Sequence, residues 1–148
     1  MKIKLLKYDS YLKMIKNSVG TKMFQNLYLE IDKKRIDSTK DGQFSCAFFV
    51  SNILLIWELI SKGHANVSST TKDMLKNGWK KIDKKNIKPG DVIIWEKKKG
   101  SDGLMHYHNG FYIGNGKAIS NISKKRSPVV HSWCCREILE IYSCPLSS

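Results

Sequence analysis

DGQFSCAFFVSNILLIWELI, residues Asp41–Ile60, is the stretch whose reading decides the fold. A short polar turn delivers Cys46 to the head of an apolar helix. That helix is expected to run from about Ser45 to Lys62 and to stop at Gly63 as its C′ residue. Phe48, Phe49, Val50, Ile53, Leu54, Leu55, Trp57 and Leu59 nearly surround it, so it is predicted to be central and buried. Taken alone, Cys46 reads as a small residue on a buried helix, a common place for cysteine. Yet the first turn of a helix also carries partial positive charge, which lowers a thiol pKa. Its unpaired N–H groups can bind a developing oxyanion.

A distant segment, HYHNGFYIGNGKAISN (His106–Asn121), tips the balance towards chemistry. Period-two alternation puts His106, His108, Gly110 and Tyr112 on one strand face and Met105, Tyr107, Asn109, Phe111 and Ile113 on the other. The second set is apolar and is expected to face the core. His108 then shares its face with Gly110, whose missing side chain leaves room for a substrate. For His106 the simpler reading is a cross-strand or solvent contact. Two histidines one alternation apart raise the thought of a metal, but no carboxylate or cysteine pattern completes such a site, and no cofactor is expected. Asn115-Gly116 signals a tight hairpin.

A histidine base works better when a third polar group fixes its tautomer. With a two-residue turn, Gly110 pairs with Asn121, which falls on the His108 face. With a three-residue turn, Gly110 faces Ser120 instead. One residue of register decides. Asn121 is the favoured orienting group and Ser120 the alternative.

The remaining chain fills out an α+β plan. Residues 1–40 read as a helical layer: one helix capped by Asp9 or Ser10 and broken at Gly20, then Met23, Phe24, Leu27 and Ile31 at helical spacing. Ser68–Thr71 can cap a short helix ending at Asn77-Gly78. His64 reads as a favourable charge at a helix end. After Trp79 the pattern turns to strands: Val92–Glu96 behind the Pro89-Gly90-Asp91 turn, the His106–Gly114 and Lys117–Asn121 pair, Pro128–Ser132, and Arg136–Tyr142. A charged loop, Lys97–Gly103, is expected between the first two. The chain as a whole, 1–148, is expected to form a single catalytic domain, with 41–148 as its core.

The 148 residues suffice for a core that needs neither metal nor disulfide. The four cysteines (Cys46, Cys134, Cys135, Cys144) lack zinc spacing, and adjacent Cys134-Cys135 is poor disulfide geometry. A net charge of +13 suits a polyanionic neighbour such as wall polymer, anionic membrane or nucleic acid, or simply a solvated lysine surface. Only Arg35, Arg126 and Arg136 among 26 cations are arginines, which speaks against nucleic acid. The Lys-rich start lacks the apolar core and cleavage site of a signal peptide, and Ile53–Ile60 is too short to span a membrane. The default compartment is therefore cytoplasmic, with secretion kept open.

FSCAFFV, KPGDVIIWE and HNGFYIGNGKAISN together resemble the cysteine, Gly-Asp-strand and histidine-strand motifs of NlpC-type cell-wall endopeptidases. More loosely they are similar to CHAP amidases of the same papain-like superfamily. The resemblance covers about Asp41–Asn121. It implies a papain-like fold with the nucleophile helix packed on an antiparallel sheet, Cys46 as nucleophile and His108 as base. Ser45 stands where the family usually has aspartate, and Ser120 where it usually has a third-site histidine. The expected chemistry is thiol-dependent amide hydrolysis of a peptide or peptidoglycan substrate, with Gln43 and Ser45 supporting the oxyanion. The alternatives are lipid acyl transfer or thioester chemistry on the same fold, and a basic binding module without turnover.

Overall fold

Three helices and eight strands make up the computed structural model, which describes residues 1–147. The helices are α1 (Lys7–Asn17), α2 (Cys46–Ile56) and α3 (Val67–Lys76). A two-stranded ribbon, β1 (Tyr28–Ile31) and β2 (Lys34–Asp37), lies between α1 and α2. Six further strands form one antiparallel sheet: β3 (Lys80–Lys81), β4 (Val92–Lys99), β5 (Met105–Gly114), β6 (Lys117–Ile122), β7 (Ser127–Ser132) and β8 (Ile138–Ser143). Their order is β3-β8-β4-β5-β6-β7. This is the expected α+β, papain-like arrangement, with α2 packed on β5 and β6.

Alternation along the central strands creates two dissimilar faces. Towards the helices point Val92, Ile94, Phe111, Ile119 and Tyr142, joined there by Ala47, Phe49, Val50, Ile53 and Leu54 of α2. Phe49 meets Phe111 edge-on at 5.5 Å between ring centroids. Away from the helices point Ile93, Trp95, Ala118 and Ile141, a smaller apolar cluster. Each aromatic pair of this kind adds about 0.5–1.5 kcal/mol beyond its buried area.

Local chemistry explains the joints. The Tyr11 hydroxyl donates to the Gly90 carbonyl at 2.6 Å, and the Tyr8 hydroxyl donates to that of Pro89. Gly90 has φ +92°, and a Cβ there would approach the Tyr11 ring to 2.8 Å, so the turn into β4 requires glycine. Asp91, buried, accepts the N–H groups of Lys88 and Cys144, each at 2.8 Å, which ties β4's entry to the end of β8. The Gly-Asp of the KPGD motif is thus a structural joint.

Three expectations require correction. The 1–40 segment is only partly helical: after α1 it forms the β1–β2 ribbon, turning at Asp32 and Lys33, both with positive φ. Local turn chemistry there wins over a helical spacing of apolar residues, as in a type I′ hairpin. Helix α2 ends at Ile56 rather than Lys62 because Glu58 takes a left-handed conformation (φ 57°) and the N–H of Leu59 returns to the Leu54 carbonyl. The loop expected from Lys97 is shorter, since β4 continues to Lys99.

Candidate active site

Cys46 is the first residue of α2, behind Ser45 at the N-cap position. The Asn121 amide reaches across from β6 and donates to the Gly42 carbonyl at 2.9 Å, bracing the loop that presents the cysteine. The sulfur lies 3.9 Å from the Tyr107 carbonyl oxygen on β5. Burial pushes the Cys46 thiol up. The N–H groups of Asn109, Ala47 and Cys46 itself, with the charge of Arg136, oppose that rise without overcoming it. The helix start therefore does aim N–H groups at the sulfur, as expected, yet the expected depression of the thiol pKa does not result. Desolvation outweighs the partial charge.

His108 lies on β5 opposite Trp95 of β4, and the two rings stack at 5.1 Å. Its side is nearly closed, with 8% of the residue exposed. Burial lowers its pKa to about 3, assisted by Arg136 and His131, so the imidazole rests neutral. Its Nε2 lies 2.8 Å from the Ser120 hydroxyl.

The register that the sequence left open is settled by a bulge. Asn115-Gly116 is a two-residue turn, with Gly114 paired to Lys117. The ladder then shifts by one residue, so that Tyr112 pairs with Ala118 and Phe111 with Ile119. Ile113 is the extra residue. Ser120 consequently lies against Gly110, where a Cβ would come within 2.7 Å of the serine Cβ. The favoured choice of Asn121 beside His108 is thus corrected: Asn121 faces the helices and the Cys46 loop, and Ser120 faces His108. The turn was read as expected; the bulge reversed its consequence.

Cys46, His108 and Asn121 line one cleft of about 890 Å³, together with Gln43. Gln43 accepts a hydrogen bond from the Ser101 hydroxyl at 3.1 Å. One wall is a tilted Phe44–His106 ring pair at 4.9 Å, with His106 held by Asp102 at 2.8 Å. Ser45 does not reach the cleft surface; its hydroxyl is buried with no partner among the described residues. Lys97, Lys98, Lys99, Lys124 and Arg136 add positive charge to the lining.

Two participants escaped the sequence reading. His131 on β7 has its Nε2 2.5 Å from the Ser120 hydroxyl, and its Nδ1 2.8 Å from the Ser132 carbonyl. Its signal was alternation: His131 opposes Ala118 and so shares a face with Ser120, but that needs the β6–β7 register. Arg136, just before β8, influences Cys46, His108 and His131 together and makes no ion pair among the described residues.

A cysteine-headed helix packed on an antiparallel sheet, with a neutral histidine in the same cleft, fits the papain-like fold. The family described as bacteriophage peptidoglycan hydrolase matches residues 38–135, the greater part of the chain, and the protein belongs to that family. The match takes in Cys46, His108, Ser120, Asn121 and His131. The chain is also 32% identical over 71 residues to a gamma-DL-glutamyl hydrolase of Bacillus subtilis (strain 168). That alignment covers 48% of this chain and 17% of the relative, so the chain spans under a fifth of that protein's length. Among the described residues, no helix is long and apolar enough to cross a membrane.

Proposed function

We propose that this peptidoglycan hydrolase cleaves an amide bond in the peptide part of its substrate through a Cys46 thioester. The observation that carries the reading is one cleft holding both the Cys46 sulfur and a His108 ring kept neutral by burial. Because the thiol pKa is raised, the pair rests as thiol and imidazole rather than as an ion pair. His108 takes the proton as the sulfur attacks the carbonyl carbon. The N–H groups at the start of α2 receive the oxyanion. Gln43, its oxygen engaged by Ser101, keeps its NH₂ end for the same task. His108 then gives its proton to the leaving amine, and a water activated by the same ring releases the acyl group. Membership of a hydrolase family supports this over acyl transfer or mere binding.

The cationic lining suits a substrate with a free carboxylate beside the scissile bond, as a γ-linked glutamyl unit has. The named relative is a glutamyl hydrolase, which supports that choice. The other lysines would add salt-sensitive attraction to anionic wall polymers. Residues 1–148 are taken to work as a single catalytic domain, with α1 bracing the turn into β4.

Digestion of purified peptidoglycan, with fragments identified by mass spectrometry, tests the reading. New amino and carboxyl ends are expected at one bond type, and their release should stop in Cys46→Ala. Undiminished release by Cys46→Ala would overturn the mechanism.

A further inference from the structure

We propose that His131 is a positioning residue: acting through the Ser120 hydroxyl, it sets the tautomer of His108. The inference rests on His108 as the base. It concerns three adjacent strands, with His108 on β5, Ser120 on β6 and His131 on β7.

The hydrogens follow from what each atom is able to do. The Ser132 carbonyl only accepts, so the His131 Nδ1 facing it at 2.8 Å carries the hydrogen. With that nitrogen protonated, a neutral His131 offers Nε2 as an acceptor. The Ser120 hydroxyl has a single hydrogen, and it goes to His131 Nε2 at 2.5 Å. The serine oxygen then presents a lone pair to His108 Nε2 at 2.8 Å, so that nitrogen must be the donor. One assignment therefore satisfies all three bonds, and it leaves Nδ1 of His108 bare. That nitrogen is the one able to take the Cys46 proton. The direction of the relay begins at an acceptor-only backbone oxygen and ends at the base.

Ser120 alone does not give this result. A hydroxyl both donates and accepts, and a free rotor beside His108 supports either tautomer. His131 removes the choice. A second proton on His131 would turn the relay round: Ser120 would accept from His131 and donate to His108 Nε2, and the His108 hydrogen would move to Nδ1. Arg136, from the segment before β8, and His108, from β5, are the charged and titratable groups facing His131. Burial and the charge of Arg136 disfavour that second proton, against the bond to the Ser132 carbonyl. Trp95 of β4 flanks both rings, at 5.1 Å from His108 and 5.5 Å from His131, and contributes no charge.

The test reads the tautomer directly. In ¹⁵N-labelled Cys46→Ala protein, long-range ¹⁵N–¹H spectra should show His108 with hydrogen on Nε2 alone. Adding His131→Ala should shift the ring nitrogens towards a tautomer mixture. In the otherwise unaltered enzyme, His131→Ala should lower kcat by on the order of 10-fold with little change in KM. His131→Gln, whose side-chain oxygen can accept the Ser120 hydrogen, should restore most of the loss. Ser120→Ala with His131→Ala should be no slower than Ser120→Ala alone, and His131→Phe, which fills the same space without an acceptor, carries the test if His131→Ala fails to fold. An unchanged His108 tautomer in His131→Ala, or additive losses in the double variant, would overturn the relay. Hydrolysis by Cys46→Ala would instead sink the underlying mechanism, whatever the spectra show.

Discussion

Two imidazoles in this protein, His64 part-buried and His108 buried, are bonded to opposite kinds of partner. His64 meets a carboxylate, with Nε2 2.7 Å from Asp73 Oδ2. His108 meets a hydroxyl at 2.8 Å. Asp73 also accepts the N–H groups of Ser61 and Lys62, in the turns that follow α2, and the amide of Asn77 at the end of α3. Burial pushes the Asp73 carboxyl up, but the bonds from His64 and Ser61 win and hold it below its usual range. That arrangement fastens the segment beyond α2 to α3. The hydroxyl beside His108 brings no charge, and burial keeps that ring neutral. The same side chain is a clasp beyond one end of α2 and a neutral ring in the cleft near the other.

The comparison breaks most readily at the cleft. His108→Ala should cut kcat/KM by roughly 10²- to 10⁴-fold, and Cys46→Ala should reduce it further, measured as fragment release from peptidoglycan. Neither result should follow from Asp73→Ala, which should instead cost about 2 kcal/mol of stability in a urea titration. Activity lost from Asp73→Ala while the protein remains folded would erase the distinction.

Acid should separate the two regions. His108 titrates at about 3 in the fold against an ordinary 6.5, so the unfolded chain binds its proton first as pH falls. Its neutral burial therefore withdraws stability progressively from about pH 6.5 down to about 3. Asp73 works in a lower window. Its contribution is complete above the ordinary 3.8 and is lost as pH falls through its lowered folded value. Urea midpoints should thus decline below pH 6.5 in the native sequence and less steeply in His108→Gln. Equal slopes would contradict the neutral burial of His108.

Smaller effects sharpen the picture. Iodoacetamide should label Cys46 in the free enzyme slowly at neutral pH and faster only at alkaline pH, because burial raises the thiol. Rapid labelling at neutral pH would mean an ion pair already formed. Asp102→Ala breaks an exposed His106 contact and should leave the melting temperature within error of the native value.

Much of this was legible in residues alone. The FSCAFFV start of α2, the KPGD joint, the Asn115-Gly116 turn and the alternation from His106 to Gly114 announced the helix, the strands and the two groups in the cleft. What stayed hidden depended on long-range balance. Met23, Phe24, Leu27 and Ile31 have helical spacing, yet the last two frame a ribbon whose turn lies at Asp32 and Lys33. The thiol pKa turned on desolvation, which no motif records. His131 was invisible because a strand's neighbour is known only once its register is known. The choice between Ser120 and Asn121 turned on the extra residue at Ile113, outside the hairpin's two central positions.

That extra residue works as a selector. Odd and even positions of β6 face opposite sides of the sheet, so a count of one along β5 determines which side chain is offered to His108. Pairing Ile113 into the ladder would slide Gly110 from Ser120 to Asn121, whereas deleting Ile113 would leave Ser120 where it is. Whether one residue far from the cleft is looped out of the ladder or paired into it thereby acts as a dial with two settings, without altering any residue that touches His108.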